Sequence, residues 1–213
     1  MVFAERVPTL DRHPGSRPAS PRPRLAETAG LVRPLVLAGE RRLVVTGALG
    51  ELLPGGGLQR GTVVSIEGAP GSGVTSLLLQ LLAAATAAGE WAAAVDPEGV
   101  FGGLAAAEAG VALDRLAVVR QVSPECWGRA VAILLDGVSL VTATVPAPVR
   151  APEARRLAAR ARERSAVLVA SGRWPGEVAL RLRAEGSGWR GLGWGEGLLG
   201  ERASGPVAVR VAS

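Results

Sequence analysis

From Leu52 onward the chain alternates short apolar runs with stretches of helical periodicity, and this alternation restricts the fold more than any other feature. "TVVSIEG" (62–68), "WAAAVD" (91–96), "LAVVRQ" (116–121), "VSLVTATV" (138–145) and "AVLVAS" (166–171) read as buried strands. Between them lie "VTSLLLQLLAAATAAG" (74–89), "VFGGLAAAEAG" (100–110), "PECWGRAVAILLDG" (124–137) and "APEARRLAARARERS" (151–165), which read as helices. In the third helix Trp127, Val131 and Leu134 share one face, and in the fourth Leu157 points inward. Strands separated by helices need crossover connections, so the pattern predicts an α/β fold with a mainly parallel sheet flanked by helices. After Gly172 the style changes. "EVALRLRAEG", "GWRGLGWGEGLLGERA" and "PVAVRVAS" alternate with period two between glycines, which predicts an antiparallel β-meander over 172–213.

The N-terminal part reads differently. Residues 1–24 are rich in Pro, Arg and Ser and lack apolar periodicity, as expected of a disordered tail. Residues 25–213 read as a single domain, with a possible strand at Arg42–Thr46 and a Gly-rich turn at "LLPGGGLQRG". The most apolar helical run, Ser76–Ala88, is too short to span a bilayer and carries Gln80 and Thr86. Glu5, Arg6, Pro8, Asp11 and Arg12 interrupt any secretory h-region. The expectation is a soluble cytoplasmic protein without a membrane partner. One cysteine, Cys126, excludes an internal disulfide and a Cys-rich zinc site, and reads as a small helix residue. One histidine, His13, lies in the tail, so neither a His-based triad nor a His-ligated metal is expected. The net charge is +5, and all 24 basic residues are arginine.

The most informative short stretch is "EGAPGSGVTS" (67–76). A phosphate-binding P-loop reads G-x-x-x-x-G-K-[ST]. Gly68, Gly73 and Thr75 hold their places, but Val74 stands at the lysine position. The backbone N–H groups of Gly68, Gly71, Ser72 and Gly73 can build an anion nest at the helix N-terminus, with Thr75 and Ser76 completing the candidate cofactor-binding set. The missing element is the ammonium that reaches the β- and γ-phosphates. Hydrogen bonds to charged groups contribute about 1.5–3 kcal/mol each, so its loss costs several kcal/mol in a desolvated site. A metal-holding carboxylate is missing too. Asp136 follows the apolar "AILL", but taking that run as a strand deletes the helix needed between the third and fourth strands. With "LVTATV" as the strand, Thr144 occupies its end and no carboxylate is there.

The order strand, Gly-rich loop, helix, strand with an acidic end resembles that of RecA-type ATPases. The resemblance covers about 48–171 and is carried by "LGELLPGGGLQRGTVVSIEGAPGSGVTSLLLQLLAAATAAG", "AAVDPEG" and "GVALDRL". It implies a RecA-like core, with Glu98, beside Asp96, at the position of the catalytic glutamate. The short chain and its ending, with "WRGLG" near "GLLGER", resemble the actinobacterial ImuA-type accessory proteins of SOS mutagenesis. That likeness implies a non-catalytic adaptor of DNA-damage-induced translesion synthesis. Its partners would be an ImuB-like Y-family polymerase homologue and an alternative C-family polymerase complex, with RecA as a further candidate. The partner contact would lie in the C-terminal part, where Trp189, Arg190, Leu192 and Trp194 are the candidates.

On this reading Glu98 is vestigial, and neither cofactor nor metal is expected. The alternatives are a divergent RecA-like ATPase or ATP-switch protein using ATP and magnesium, or a modulator of RecA filaments. DNA contact is expected to be weak or indirect. Two short loops, Pro146–Glu153 and "GRWPGE" (172–177), carry Arg150, Arg173 and Trp174, which offer charge and stacking, although Trp174 beside Pro175 also suits a packed turn. Arg155, Arg156, Arg160, Arg162 and Arg164 form a charged helix face, partly answered by Glu153 and Glu163, and suit either solvent or a partner. Trp91 and Trp127 are expected in the core.

Overall fold

The computed structural model describes residues 42–146, 149–185, 189–190, 201–202 and 208–212. The expected tail, 1–24, lies outside them. In chain order the elements are β1 (Arg42–Val44), α1 (Gly47–Leu52), β2 (Gly57–Gln59), β3 (Val63–Gly68), α2 (Val74–Ala87) and β4 (Ala92–Asp96). There follow α3 (Gly103–Glu108), β5 (Leu116–Arg120), α4 (Pro124–Gly137), β6 (Leu140–Thr144), α5 (Ala151–Arg164) and β7 (Val167–Ser171). The last strands are β8 (Leu180–Glu185), β9 (Trp189–Arg190), β10 (Glu201–Arg202) and β11 (Ala208–Ala212).

The main sheet has the order β11-β8-β3-β7-β6-β4-β5. β8, β3, β7, β6, β4 and β5 run parallel, and β11 is antiparallel to β8. The predicted class is therefore the observed one: an α/β fold with a mainly parallel sheet flanked by helices. β1 and β2 form a small antiparallel ribbon, with Leu43 opposite Leu58. The sequence offered a strand at Arg42–Thr46 but read Gly57–Gln59 only as part of a turn, because three residues among glycines carry no periodicity.

Within the C-terminal part, β11 against β8 and β10 against β9 are antiparallel as predicted. β8 itself differs: it lies beside β3 and parallel to it. Its alternation is real, since Leu180, Leu182 and Ala184 are buried while Arg183 and Glu185 are exposed. Period two reports how many faces are covered, not which way the neighbouring strand runs.

Strands buried on both faces feed two separate cores. On one side Val64, Ile66, Val167 and Val169 pack with Leu77, Leu81 and Leu82 of α2 and with Leu43 and Leu58 of the ribbon. On the other, Val63, Val141, Leu168 and Ala170 pack with Trp127, Val131 and Leu135 of α4 and Leu157 and Ala161 of α5. Leu134 is half-buried against this second core. Side chains alternate across a strand, so consecutive residues of β7 supply opposite cores.

The core assignment of Trp91 is corrected: its side chain is 52% exposed, whereas Trp127 is 1% exposed. Trp91 stands just before β4, where its carbonyl accepts the Ser139 N–H at 3.0 Å.

Candidate functional site

β3 delivers the chain to a loop at 69–73, and α2 begins immediately after it. Gly71 (φ 78°) and Gly73 (φ 101°) adopt the left-handed conformation, which lets the loop fold back onto the start of the helix. Gly73 is also the residue from which α2 springs, and its carbonyl accepts the Leu77 N–H at 3.0 Å. Gly68 is required for another reason. A Cβ there would lie 2.3 Å from the Ser72 Oγ, 2.8 Å from the Val74 Cγ2 and 2.9 Å from the Ala184 carbonyl oxygen.

Loop and helix form one wall of an open cleft of about 1650 Å³. The predicted Gly68, Gly71, Gly73, Val74, Thr75 and Ser76 all line it. Ser72 does not; it is 5% exposed and turned under the loop, with its hydroxyl against Gly68. Val74 is half-buried and packs on the first core, so the position where a lysine would project carries an apolar contact. Thr75 is exposed.

The opposite wall comes from the ends of β6 and β7. Thr144, Val145, Ser171 and Gly172 line it, together with Arg173 and Trp174 of the following loop. Thr144 holds the end of β6, as expected from the chosen register. Thr142, two residues earlier, is buried and donates its hydroxyl to the Ala93 carbonyl at 3.4 Å. Asp136 lies in α4 and faces α5, where Arg160 Nε is 2.6 Å and Arg164 Nε 3.1 Å from its carboxylate. The Arg160 guanidinium holds the Asp136 carboxyl below its usual range, outweighing an opposing effect of desolvation, with a lesser contribution from Arg164. Asp136 is thus a helix–helix tie and does not line the cleft.

The two acids at the end of β4 and just beyond it, Asp96 and Glu98, have separate fates. Asp96 is 5% exposed, and its carboxylate accepts the N–H groups of Gly99 at 3.0 Å and Phe101 at 2.7 Å, which fixes the turn. Glu98 is exposed and reaches the cleft. A magnesium ion takes near-octahedral oxygen ligands, commonly a carboxylate with phosphate oxygens and waters. The cleft offers the Thr75 hydroxyl, the exposed Glu98 and the Glu67 carboxylate, which Arg181 engages, with Thr144 where a strand-end carboxylate would stand. These donors fit the ion poorly.

Trp174 is 4% exposed and belongs to the second core, with its indole N–H buried and unpartnered. Its stacking face is not available to a nucleotide base, which corrects that reading; the packed-turn reading is the one observed. Arg150 and Arg173 are exposed. A charged pair in the cleft was missed. Arg181 of β8 lines the cleft and donates to Glu67 Oε1 at 2.9 Å. Its place follows from β8 lying next to β3, with Arg183 opposite Glu67 and Arg181 opposite Ser65, and no local pattern announces that neighbour.

Of the proposed partner residues, Trp189 and Arg190 form β9 and pair with Arg202 and Glu201. Leu192 and Trp194 lie outside the described residues. Among the described residues no helix is long and apolar enough to cross a membrane.

Comparison with curated proteins gives no match. Residues 51–176 match the family model described as the MT3502 N-terminal domain, more than half of the 213-residue chain. The matched span runs from the end of α1 through β7 and takes in the Gly-rich loop, Glu98 and the loops of the opposite wall, stopping short of Arg181. On that match the chain belongs to the MT3502 N-terminal domain family.

Proposed function

We propose that this protein is a non-catalytic RecA-like adaptor of DNA-damage-induced translesion synthesis, of the ImuA type, that binds an ImuB-like polymerase homologue. A mostly parallel α/β sheet is compatible with a RecA-like fold. The observation that carries the silent-site reading is Val74. It spends the P-loop lysine position on a contact with the apolar core, while Thr144 leaves the end of β6 without a carboxylate. On this reading the cleft departs from phosphoryl-transfer chemistry at two independent positions, the P-loop lysine and the acid at the end of the strand. The partner residues follow from the C-terminal resemblance: Trp189, Arg190, Leu192 and Trp194, with tryptophan and arginine the residue types that dominate interface energetics.

A second reading is favoured by Arg181. A guanidinium in the cleft, held by Glu67, is a candidate replacement for the missing ammonium, which would make the chain an ATP-binding switch. Isothermal titration with ATP and magnesium separates the two. The adaptor reading expects no heat from the wild-type protein, and loss of ImuB-like partner capture on Ala substitution of the four C-terminal residues. Micromolar binding, about −8 kcal/mol, that disappears in Arg181→Gln would establish the second reading. Partner capture unchanged in the Ala series would remove the proposed contact.

A further inference from the structure

We propose that the solvent face of α5 is a docking surface for the phosphodiester backbone of a nucleic acid. The inference is independent of the adaptor reading, because none of the residues it uses lines the cleft.

α5 carries Arg155, Arg156, Arg160, Arg162 and Arg164. Two of them are engaged: Arg160 and Arg164 hold Asp136 of α4, and Arg160 also reaches Glu163 at 3.5 Å. Glu153, the other acid of the helix, is turned toward α4. Its carboxylate lies over Gly128, 1.8 Å from where a Cβ would stand. Arg155, Arg156 and Arg162 are exposed and have no carboxylate partner among the described residues. At seven residues' spacing Arg155 and Arg162 project from the same face, about 10 Å apart along the axis, with Arg156 about 100° around the helix.

The composition of this face selects the partner. Its exposed positions are Ala151, Pro152, Arg155, Arg156, Ala159, Arg162, Glu163 and Arg164. No aromatic or large aliphatic side chain of α5 is exposed; Leu157 is buried in the second core. A protein interface draws its affinity from desolvated apolar and aromatic anchors, which this face lacks. A nucleic-acid backbone needs only arrayed cations, and a guanidinium matches a phosphate bidentately. The tie through Asp136 holds the helix to its neighbour, so the arginines are presented from a fixed support rather than a tail.

The test is fluorescence anisotropy of the full chain with a labelled oligonucleotide, single-stranded or duplex, titrated from low to physiological salt. Binding with a steep salt dependence is expected. The variant Arg155→Gln/Arg156→Gln/Arg162→Gln should lower the slope of log K against log salt by about 2–3, since each phosphate contact contributes about 0.7–0.9. A control, Arg120→Gln/Arg129→Gln/Arg183→Gln, removes the same charge from exposed sites outside α5 and the cleft and should keep the slope. Circular dichroism checks that both variants fold. No binding by the wild-type protein at low salt, equal slopes in the two variants, or tighter binding of poly-glutamate than of either oligonucleotide would each overturn the proposal.

Discussion

Two glycines in contact with side chains illustrate how differently the same substitution acts at the residue scale. At Gly68 an added methyl meets the Ser72 hydroxyl, the Val74 side chain and a backbone carbonyl of β8, all under 3.0 Å. The carbonyl cannot withdraw without disturbing the sheet. At Gly128 the obstacle is the carboxylate of Glu153, the far end of a flexible side chain. Gly68→Ala is therefore expected to destabilise by about 1–3 kcal/mol, the range of overpacking. Gly128→Ala should stay within about 1 kcal/mol of wild type, because the helix gains what the displaced carboxylate loses. Urea unfolding of the two variants checks the contrast. The Gly68 requirement was visible in the sequence as a motif position, but its physical cause was not. The clash involves Ala184, more than a hundred residues away in the chain, and depends on β8 lying beside β3.

At the scale of elements, α4 and α5 show what helical periodicity reveals and what it leaves out. The buried faces were readable: Trp127 and Val131 on one helix and Leu157 on the other meet in one core. The tie between their solvent edges was not, because Asp136 and Arg160 come from different helices and no spacing rule links them. The lowered pKa of Asp136 has a consequence for stability. A carboxyl whose folded pKa lies below its unfolded value stabilises the fold above the unfolded pKa, near 3.9 for aspartate. That contribution fades as the pH falls through the lowered value. Asp136→Asn should accordingly lower stability slightly at neutral pH, slightly because the group is exposed and its partners are screened, and leave it unchanged in acid, which removes part of the acid-side slope. Thermal melts between neutral and acid pH, at low and high salt, measure this, and the difference should shrink as salt rises. The edge strand β5 makes a second lesson. Its pattern was read as a strand like the others, but its residues are half-buried or exposed where β4 is buried throughout.

For the whole molecule, the order of strands decides where stability and chemistry reside. β3 is flanked by β7 and β8 and contributes to both cores, while β5 closes one margin of the sheet. Native-state hydrogen exchange should find the slowest amides in β3 and β7, near the global unfolding free energy, and much faster exchange in β5. Equal protection across the sheet would contradict this ranking. The same order gathers the cleft: loop and helix follow β3, the second wall follows β6 and β7, and Arg181 arrives on β8. Ligands of open α/β sheets bind beyond the carboxyl ends of the strands, and this cleft obeys that geometry.

What the sequence by itself determined is local. It placed the strands β3 to β7 and the helices between them, the Gly-rich loop with Val74 in it, and the threonine at the end of β6, because burial on one or two faces writes a period into neighbouring residues. The tertiary structure alone decided which strands lie side by side and in which direction. It turned Trp91 outward and Trp174 inward, made Asp136 a tie to α5, and brought Arg181 to Glu67. The reason is physical: a periodic pattern records how much of a residue's surroundings is apolar, whereas partners distant in the chain are chosen by how the packed layers fit together.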